Sequence, residues 1–323
     1  INIDTATNTL GGGTNGLGSA VTVNSGALLT LYGFGTNRTL SIGSLAGAGT
    51  VRSEGAGTQA LSIGGDGTST TFSGVIGQSP NGLLIAVTKV GAGALSLTGT
   101  SIYAGATEVS AGRLVVDGSI LASSSVSVAS GAELGGSGRV AAITGAGLVA
   151  PGNSPGILTA PSASLASGLD FAFEFTQGGA PTWSSAASSG NDVLRLTDAT
   201  TPLVGTATSG NVFDIYFSAT GETYIGGIFT DRNADFGSLL DAATFNYYAR
   251  DAGGAFSYGG FNYASLAAAD VTRSIVQVAS ADFAAGTVTN GYAMQFAVVP
   301  EPGSLALAGL GLAAAAAWLR RRT

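Results

Sequence analysis

The sequence contains no cysteine and no histidine, and it is poor in proline and in charged residues. Proline accounts for 8 of the 323 residues, and charged residues make up 10%. Without Cys or His, the chain cannot form a disulfide framework and lacks the ligands of an ordinary zinc site. Nucleophilic sites of the Ser-His-Asp and Cys-His kinds need a histidine base, so they are excluded as well.

Basic residues are also scarce. The chain has 12 Lys and Arg residues against 19 Asp and Glu residues, which gives a net charge of −7 and a pI near 4.4. Three of the basic residues, Arg320, Arg321 and Arg322, lie at the extreme C-terminus, so the rest of the chain is still more acidic. Because scattered Arg residues form no basic patch that could neutralise phosphates, we expect no nucleic-acid partner.

Glycine, in contrast, is abundant, with 52 residues, and 45% of the chain is apolar. This composition argues against disorder, which requires low hydrophobicity. It suits short strands joined by turns, because Gly adopts positive φ at no steric cost. Residues 1–160 show such strands as alternations like Val21-Thr-Val23 and Val126-Ser-Val128, and they show no helical pattern.

Segments of this N-terminal region recur. Residues 21–29 match residues 126–134 almost position by position, and residues 107–114 are a third, looser copy. A unit of one strand and one Gly turn cannot bury its apolar side alone, but stacked units can. The repeats therefore predict a β-solenoid over residues 1–160.

Residues 161–297 differ in composition, because 21 of the 25 aromatic residues lie after residue 160. Alternating segments such as Phe171-Ala-Phe-Glu-Phe175 and Phe213-Asp-Ile-Tyr-Phe217 are separated by turns rich in Gly, Asn and Asp. This pattern predicts a smaller antiparallel β-domain, either a sandwich or a cap on the open end of the solenoid. Residues 235–243 are a candidate short helix.

Residues 298–323 form a third segment. Pro300-Glu301-Pro302 is followed by an uncharged stretch that ends at Leu319 and then by Arg320, Arg321 and Arg322. As a helix, residues 302–319 would span roughly 27 Å, slightly less than the ~30 Å hydrocarbon core. The Arg cluster would hold the end of that helix on the cytoplasmic side. We therefore expect a C-terminal transmembrane helix; the alternative is an ordinary buried helix.

The order of these three elements resembles a PEP-CTERM sorting signal. In that family the signal is recognised by exosortase, a membrane protease-transpeptidase of Gram-negative bacteria that make extracellular polysaccharide. The resemblance implies that exosortase and the inner membrane are partners during sorting. It also implies a secreted or cell-surface location, with a transient membrane anchor. The chain begins at Ile1 rather than Met, which fits either a removed signal peptide or a fragment.

Residues 89–118 resemble the autotransporter-associated β-strand repeat, also called the passenger-associated transport repeat. They contain Leu95-Ser-Leu-Thr-Gly99, Tyr103-Ala-Gly105 and Val109-Ser-Ala-Gly-Arg-Leu-Val-Val116, which follow the pattern of that family. The resemblance implies a right-handed parallel β-helix. Residues 161–297 are too short for the translocator barrel that follows such repeats in autotransporters, so we expect export by another route.

Two surface sites are candidates from the sequence. Tyr258 and Tyr263 belong to a cluster of aromatic residues around Gly-Gly turns and could stack on sugar rings; the alternative, which burial of aromatic residues favours, is that they fill the core. Asp231, Asn233 and Asp235 are weak calcium candidates, because Phe236 stands where a calcium loop needs Gly. A polar surface turn is the alternative, and we expect no cofactor.

These patterns together favour a non-enzymatic, structural or adhesin-like protein of the cell surface or the extracellular matrix. The first alternative is a polysaccharide-binding module, with extracellular polysaccharide as its partner. The second is a polysaccharide-degrading enzyme, which would need two carboxyl groups about 5–9 Å apart. Glu108 and Asp117 could meet on neighbouring rungs, but exposed strand and turn positions explain these two residues equally well.

Overall fold

The structure is a computed structural model that describes residues 2–3, 7–11, 17–34, 37–56, 58–77, 84–152, 155–178, 190–231, 235–258, 260–283 and 286–299. These residues form strands and two short 3₁₀ helices, which confirms the predicted all-β class. The first strands are β1 (Asn2–Ile3), β2 (Thr7–Gly11), β3 (Leu17–Val23), β4 (Leu28–Phe34), β5 (Arg38–Gly47), β6 (Thr50–Ala56), β7 (Gln59–Ile63), β8 (Thr70–Phe72) and β9 (Val75–Ile76).

The middle of the chain contributes short strands at regular intervals. They are β10 (Ile85–Lys89), β11 (Ala94–Leu97), β12 (Thr107–Val109), β13 (Arg113–Val116), β14 (Ser119–Ile120), β15 (Val126–Val128), β16 (Glu133–Gly136), β17 (Arg139–Val140), β18 (Ile143–Gly145), β19 (Leu148–Pro151) and β20 (Ile157–Ala160).

The remaining strands are longer and contain most of the aromatic residues. They are β21 (Ala163–Ser164), β22 (Asp170–Phe175), β23 (Val193–Leu196), β24 (Leu203–Val204), β25 (Val212–Phe217), β26 (Thr223–Thr230), β27 (Thr244–Arg250), β28 (Phe256–Tyr258), β29 (Phe261–Leu266), β30 (Val271–Phe283) and β31 (Gly286–Val298). The 3₁₀ helices are η1 (Asp235–Leu240), inside the predicted helical segment, and η2 (Ala268–Asp270).

The strands stack as coils of three. Each strand from β12 to β23 pairs in parallel with the strand three places further along the chain. One coil therefore adds one strand to each of three parallel ladders, an architecture consistent with a parallel β-helix. The right-handed sense implied by the family resemblance stays a prediction.

Parallel pairing continues past residue 160, which corrects the expectation of an antiparallel domain over 161–297. Phe171 pairs in parallel with Phe213, and Phe213 with Phe245, so the aromatic strands extend the ladder that runs through β13, β16 and β19. Among the described residues, antiparallel ladders occur where β26 pairs with β31, β27 with β29, β28 with β29 and β30 with β31. These strands lie at the C-terminal end of the stack, in the place of the predicted cap.

One hydrophobic core runs through the stack, from Val21 to Val298. Alternate residues of each strand point inward, because successive side chains of a strand lie on opposite faces. In the aromatic coils, the rings of Phe171 and Phe213 stack with centroids 4.7 Å apart, and those of Phe213 and Phe245 do the same. This distance matches the ~4.8 Å spacing of paired strands, so each ring rests on the ring of the next coil.

Glycine is required at one corner of the coils by close approach of the backbone. A Cβ atom at Gly99 would lie 2.1 Å from the carbonyl oxygen of Gly74, and a Cβ at Gly118 would lie equally close to that of Gly99. Such distances are far below van der Waals contact. These positions, together with Gly49 and Gly138, form a ladder of glycines that lets successive coils approach each other.

Among the described residues, no helix is long and apolar enough to cross a membrane. The predicted transmembrane helix over residues 302–319 lies outside them, as do the sorting-signal residues Pro300, Glu301, Pro302, Arg320, Arg321 and Arg322.

Candidate functional site

Lys89 is the last residue of β10 and lies within residues 89–118, which resemble the autotransporter-associated repeat. Its side chain is buried, and its Nζ donates hydrogen bonds to the carbonyl oxygens of Val90 (2.7 Å), Gly91 (2.8 Å) and Ala111 (3.1 Å). Burial lowers the pKa of Lys89. Because Ala111 belongs to the next coil, this ammonium group bridges two successive turns.

Tyr103 supplies a second polar contact within the repeat. Its buried hydroxyl lies 2.8 Å from the Thr107 hydroxyl, which lies 2.9 Å from the hydroxyl of Ser123. Ser123 in turn donates to the carbonyl oxygen of Gly105. Burial raises the pKa of Tyr103, so the phenol stays protonated. The Tyr-x-Gly motif thus ties the corner of one coil to the corner of the next.

At the C-terminal end, a buried cluster holds β29 against the outer face of β22. The Glu174 side chain is 1% exposed, and its Oε1 accepts hydrogen bonds from Arg250 Nη2 (2.7 Å) and from the Tyr263 hydroxyl (2.8 Å). Burial, together with the nearby Glu174 carboxylate, raises the pKa of Tyr263 to about 12. A buried carboxylate needs such partners, since an unpaired one would lose its hydration without compensation.

Asp192 lies in the same region and is also buried. Its carboxylate accepts the backbone N–H groups of Glu174 (2.7 Å) and Gly156 (2.8 Å). Burial raises the pKa of Asp192 well above 3.8, and the negative charge of Glu174 acts in the same direction. Asp192 therefore braces the connections around β22 rather than facing solvent.

A groove of about 360 Å³ runs along the outer surface of one parallel ladder, where it is lined by residues in or next to β16, β19, β22 and β25. Its lining includes three carboxylates, those of Glu133, Asp170 and Asp214. Asp170 Oδ1 accepts the Val212 N–H at 2.8 Å, and Asp214 Oδ1 accepts Asn246 Nδ2 at 2.9 Å. Burial raises the pKa of Asp170, and the neighbouring charge of Asp214 adds to this shift.

The two residues that we predicted to contact carbohydrate, Tyr258 and Tyr263, both pack against Tyr216. The Tyr258 ring stacks on the Tyr216 ring with centroids 4.2 Å apart, and the Tyr263 ring meets Tyr216 edge-on at 5.1 Å. Tyr263 is fully buried, so its ring offers no free face to a sugar, and Tyr258 is half-buried. The aromatic rings exposed on this hairpin are Phe256 and Phe261, and sugar stacking at Tyr258 stays a prediction.

The calcium prediction falls partly outside the described residues. Asp231 forms a two-pronged ion pair with Arg195, whose Nε and Nη2 donate at 2.9 and 2.8 Å. Asn233 lies outside the described part of the chain, and so does the side chain of Asp235. Within the described ranges, no group of three acidic residues is arranged to hold a metal ion. Calcium binding stays a prediction, with Asp231 already engaged by an arginine.

Glu108 and Asp117, the acids considered for hydrolysis, lie on different parts of the coil. Glu108 is in β12 and accepts the Ser110 hydroxyl at 2.8 Å. Asp117 follows β13 and accepts the Ser137 N–H at 3.0 Å. In the outer groove, Asp170 and Asp214 lie close together on neighbouring strands. Sequence inspection missed them because 42 residues separate the paired strands at this point.

The last described residues are fixed to the body. Val298 ends β31, pairs with Val271, and is 4% exposed. Its N–H donates to the Glu222 carbonyl oxygen (2.9 Å), and its own carbonyl oxygen accepts the Gly221 N–H (2.9 Å). Val299 donates its N–H to the Asp270 carbonyl oxygen at 2.8 Å. The folded body therefore extends to the residue that precedes Pro300.

Comparison with protein families finds two short matches, and no curated protein matches the chain. The model of the passenger-associated-transport-repeat matches residues 87–116, from β10 to the end of β13, and so includes Lys89 and Tyr103. The model of the PEP-CTERM protein-sorting motif matches residues 298–322. The chain thus carries a passenger-associated transport repeat in its β-stack and a PEP-CTERM sorting motif at its C-terminus.

Proposed function

We propose that this protein is a structural or adhesin-like component of the cell surface or the extracellular matrix of a Gram-negative bacterium. The sorting motif indicates a protein that exosortase sorts for the cell exterior. The observation that carries the proposal is the direct connection of this motif to a stack of coils whose core is continuous over the described chain. An acidic, cysteine-free stack of coils can present a repeating outer surface to the cell exterior.

A non-enzymatic role is part of this proposal. The buried polar groups that stand out, Lys89, Tyr103, Glu174 and Asp192, all have partners within the fold. Such groups hold neighbouring coils in one register. If one coil shifted along the next, these hydrogen bonds would break and buried donors or acceptors would be left without partners. The proposed role therefore depends on shape and stability rather than on turnover.

The outer groove supports a second candidate, a polysaccharide-binding module. Its carboxylates can accept hydrogen bonds from sugar hydroxyls, and Asp214 lies beside the stacked rings of Tyr216 and Tyr248. Tyr216 is stacked on both Tyr248 and Tyr258, so the ring that could meet the apolar face of a sugar is the exposed Phe256 next to Tyr248. A polysaccharide-degrading enzyme is the third candidate, with Asp170 and Asp214 as its carboxyl pair.

One experiment separates these candidates. The native protein is recovered from the cells and the medium of its host, before and after enzymatic removal of the extracellular polysaccharide. We expect its C-terminal peptide, identified by mass spectrometry, to end near residues 300–303, and the protein to stay cell-associated after the treatment. Release by the treatment would show attachment through the polysaccharide, and saturable binding of the purified protein to that polysaccharide would then favour the binding module over a structural matrix component. New reducing ends produced by the purified protein would favour the enzyme, and an intact tail in the membrane fraction would contradict sorting.

A further inference from the structure

The sorting motif begins inside the folded body, with no spacer. The matched region starts at residue 298, and both Val298 and Val299 hold backbone hydrogen bonds to the body. These bonds join β31 to the turn before β26 and to the end of η2. Whatever acts on the motif therefore works next to a folded surface.

The tether between body and membrane is short. Five residues, 300–304, separate Val299 from the apolar run that begins at Leu305. A fully extended chain advances at most ~3.6 Å per residue, so the six steps from Val299 to Leu305 reach about 22 Å at most. The headgroup layer takes up roughly 6 Å of this distance on each side of a bilayer. With the apolar run in the membrane, the end of the body would lie within about 16 Å of the membrane surface.

We define the tail-exit face as Gly221, Glu222, Asp270 and Val299. Glu222 and Val299 are exposed and Asp270 is partly exposed, so the face presents two carboxylates around an apolar exit point. Asp270 lies beside the tail, because its carbonyl oxygen accepts the Val299 N–H. The two negative charges of the tail-exit face, those of Glu222 and Asp270, would be repelled by an anionic lipid surface, which attracts basic segments instead.

We propose that the tail-exit face is a docking surface for the membrane-embedded sorting enzyme, an inference that rests on the proposed sorting by exosortase. When a peptide bond of the tail is cut, its acyl carbon passes to water or to an acceptor amine, and the released segment takes the new amino terminus. The enzyme must hold backbone on both sides of that bond. Since only residues 300–304 stand in the sequence between Val299, which is hydrogen-bonded to the body, and the apolar run, the entrance of the enzyme meets the tail-exit face.

The test combines charge reversal with a spacer, in the full protein expressed in a host that contains the enzyme. Glu222→Lys with Asp270→Lys alters the face, and Glu108→Lys with Asp117→Lys is a control with the same change in charge, placed in the repeat. Each pair is made with the native tether and with 12 Gly/Ser residues inserted between Val299 and Pro300. Such a linker adds a root-mean-square length of roughly 18 Å. Loss of the tail is followed over time by mass spectrometry.

With the native tether, we expect the Glu222/Asp270 reversal to slow tail removal at least fivefold and the control pair to change it less than twofold. With the spacer, both pairs should be processed within twofold of the unsubstituted protein, since the enzyme then reaches the tail away from the face. Glu222→Gln with Asp270→Asn should show a smaller delay, and it replaces the reversal if that variant does not fold.

Two results would overturn the inference alone: unchanged processing of the reversed face at native tether length, or a delay that the spacer does not relieve. If the unsubstituted protein kept its tail in the presence of the enzyme, the proposed sorting would fail and the docking surface with it.

Discussion

Lys89 shows how single side chains set the register of the coils. It is the one lysine of the sequence, and its ammonium group binds carbonyl oxygens of two successive turns. A charged donor forms stronger hydrogen bonds with these carbonyl oxygens than a neutral donor would. The long side chain also buries its methylene groups, so that one residue serves both packing and hydrogen bonding.

We predict that Lys89→Met destabilises the protein by about 3 kcal/mol, because it retains the apolar stem but leaves buried carbonyl oxygens without a donor. Lys89→Arg is the matched control, since it retains a charged donor, and we expect it to cost less than Met. Urea unfolding followed by circular dichroism measures both. A Met variant as stable as the native protein would show that the three hydrogen bonds contribute nothing net.

Residue roles of this kind were only partly predictable. The repeat around Lys89 and Tyr103 was recognised by its motif, but nothing in the sequence indicates that the ammonium group of Lys89 would be buried. Tyr258 and Tyr263 were recognised as a cluster, whereas the hairpin that buries Tyr263 against Glu174 joins residues 89 positions apart. Contacts between residues so far apart in the sequence depend on how the coils stack, and local sequence patterns do not specify that stacking.

At the scale of the element, the turn is the best-predicted unit. The Ser-Gly-Ala turns of the repeated segments have matching geometry, with φ of 80° at Gly26 and 79° at Gly131. Each is closed by the same local hydrogen bond, from Ala27 to Asn24 and from Ala132 to Ala129. The sequence repeat thus corresponds to a repeat of backbone conformation, since Gly adopts this φ without strain.

The glycine ladder gives a prediction for the corner that it forms. We expect Gly99→Ala to destabilise the protein by about 2 kcal/mol or more, because its Cβ would lie 2.1 Å from the Gly74 carbonyl oxygen and force two coils apart. Gly18→Ala is the matched control, because nothing lies within 4 Å of its Cβ position. Thermal unfolding of both variants measures the difference. Equal unfolding midpoints for the two variants would mean that the backbone at this corner can move to accommodate the Cβ atom without loss of stability.

Pairing between elements was less predictable than the turns. Alternation in Phe171–Phe175 and Phe213–Phe217 correctly indicated strands, and Phe213–Phe217 has one buried face as expected, whereas Phe171–Phe175 is buried on both faces. Alternation is the same for parallel and antiparallel neighbours, however, so it could not show that these strands continue the parallel stack.

At the scale of the whole molecule, the change in composition near residue 160 does not mark a break in the core. β19 pairs with β22 and β20 with β23 across this position, and one apolar cluster includes residues from both sides. A stack of this kind gains its stability from contacts between neighbouring coils. Each half therefore depends on the other for one of its surfaces.

We predict that a fragment of residues 161–297 does not fold on its own. Separation at residue 160 would expose the apolar edge of the first remaining coil, including Phe171 and Leu194, which are fully buried in the intact chain. We expect poor amide dispersion in the NMR spectrum of the fragment and no cooperative thermal transition, in contrast to the protein of residues 1–297. If the fragment unfolded cooperatively at the same temperature as the intact protein, the domain boundary that the composition predicts near residue 160 would be supported instead.

The three-strand coil also determines the order in which the molecule can be assembled. During synthesis the N-terminal coils emerge first, and each completed coil offers its open edge as a template for the next. The antiparallel strands that close the stack come last, directly before the tail. Under the proposed sorting by exosortase, the protein therefore completes its fold next to the segment that the enzyme processes, so that assembly and release would take place at the same point of the chain.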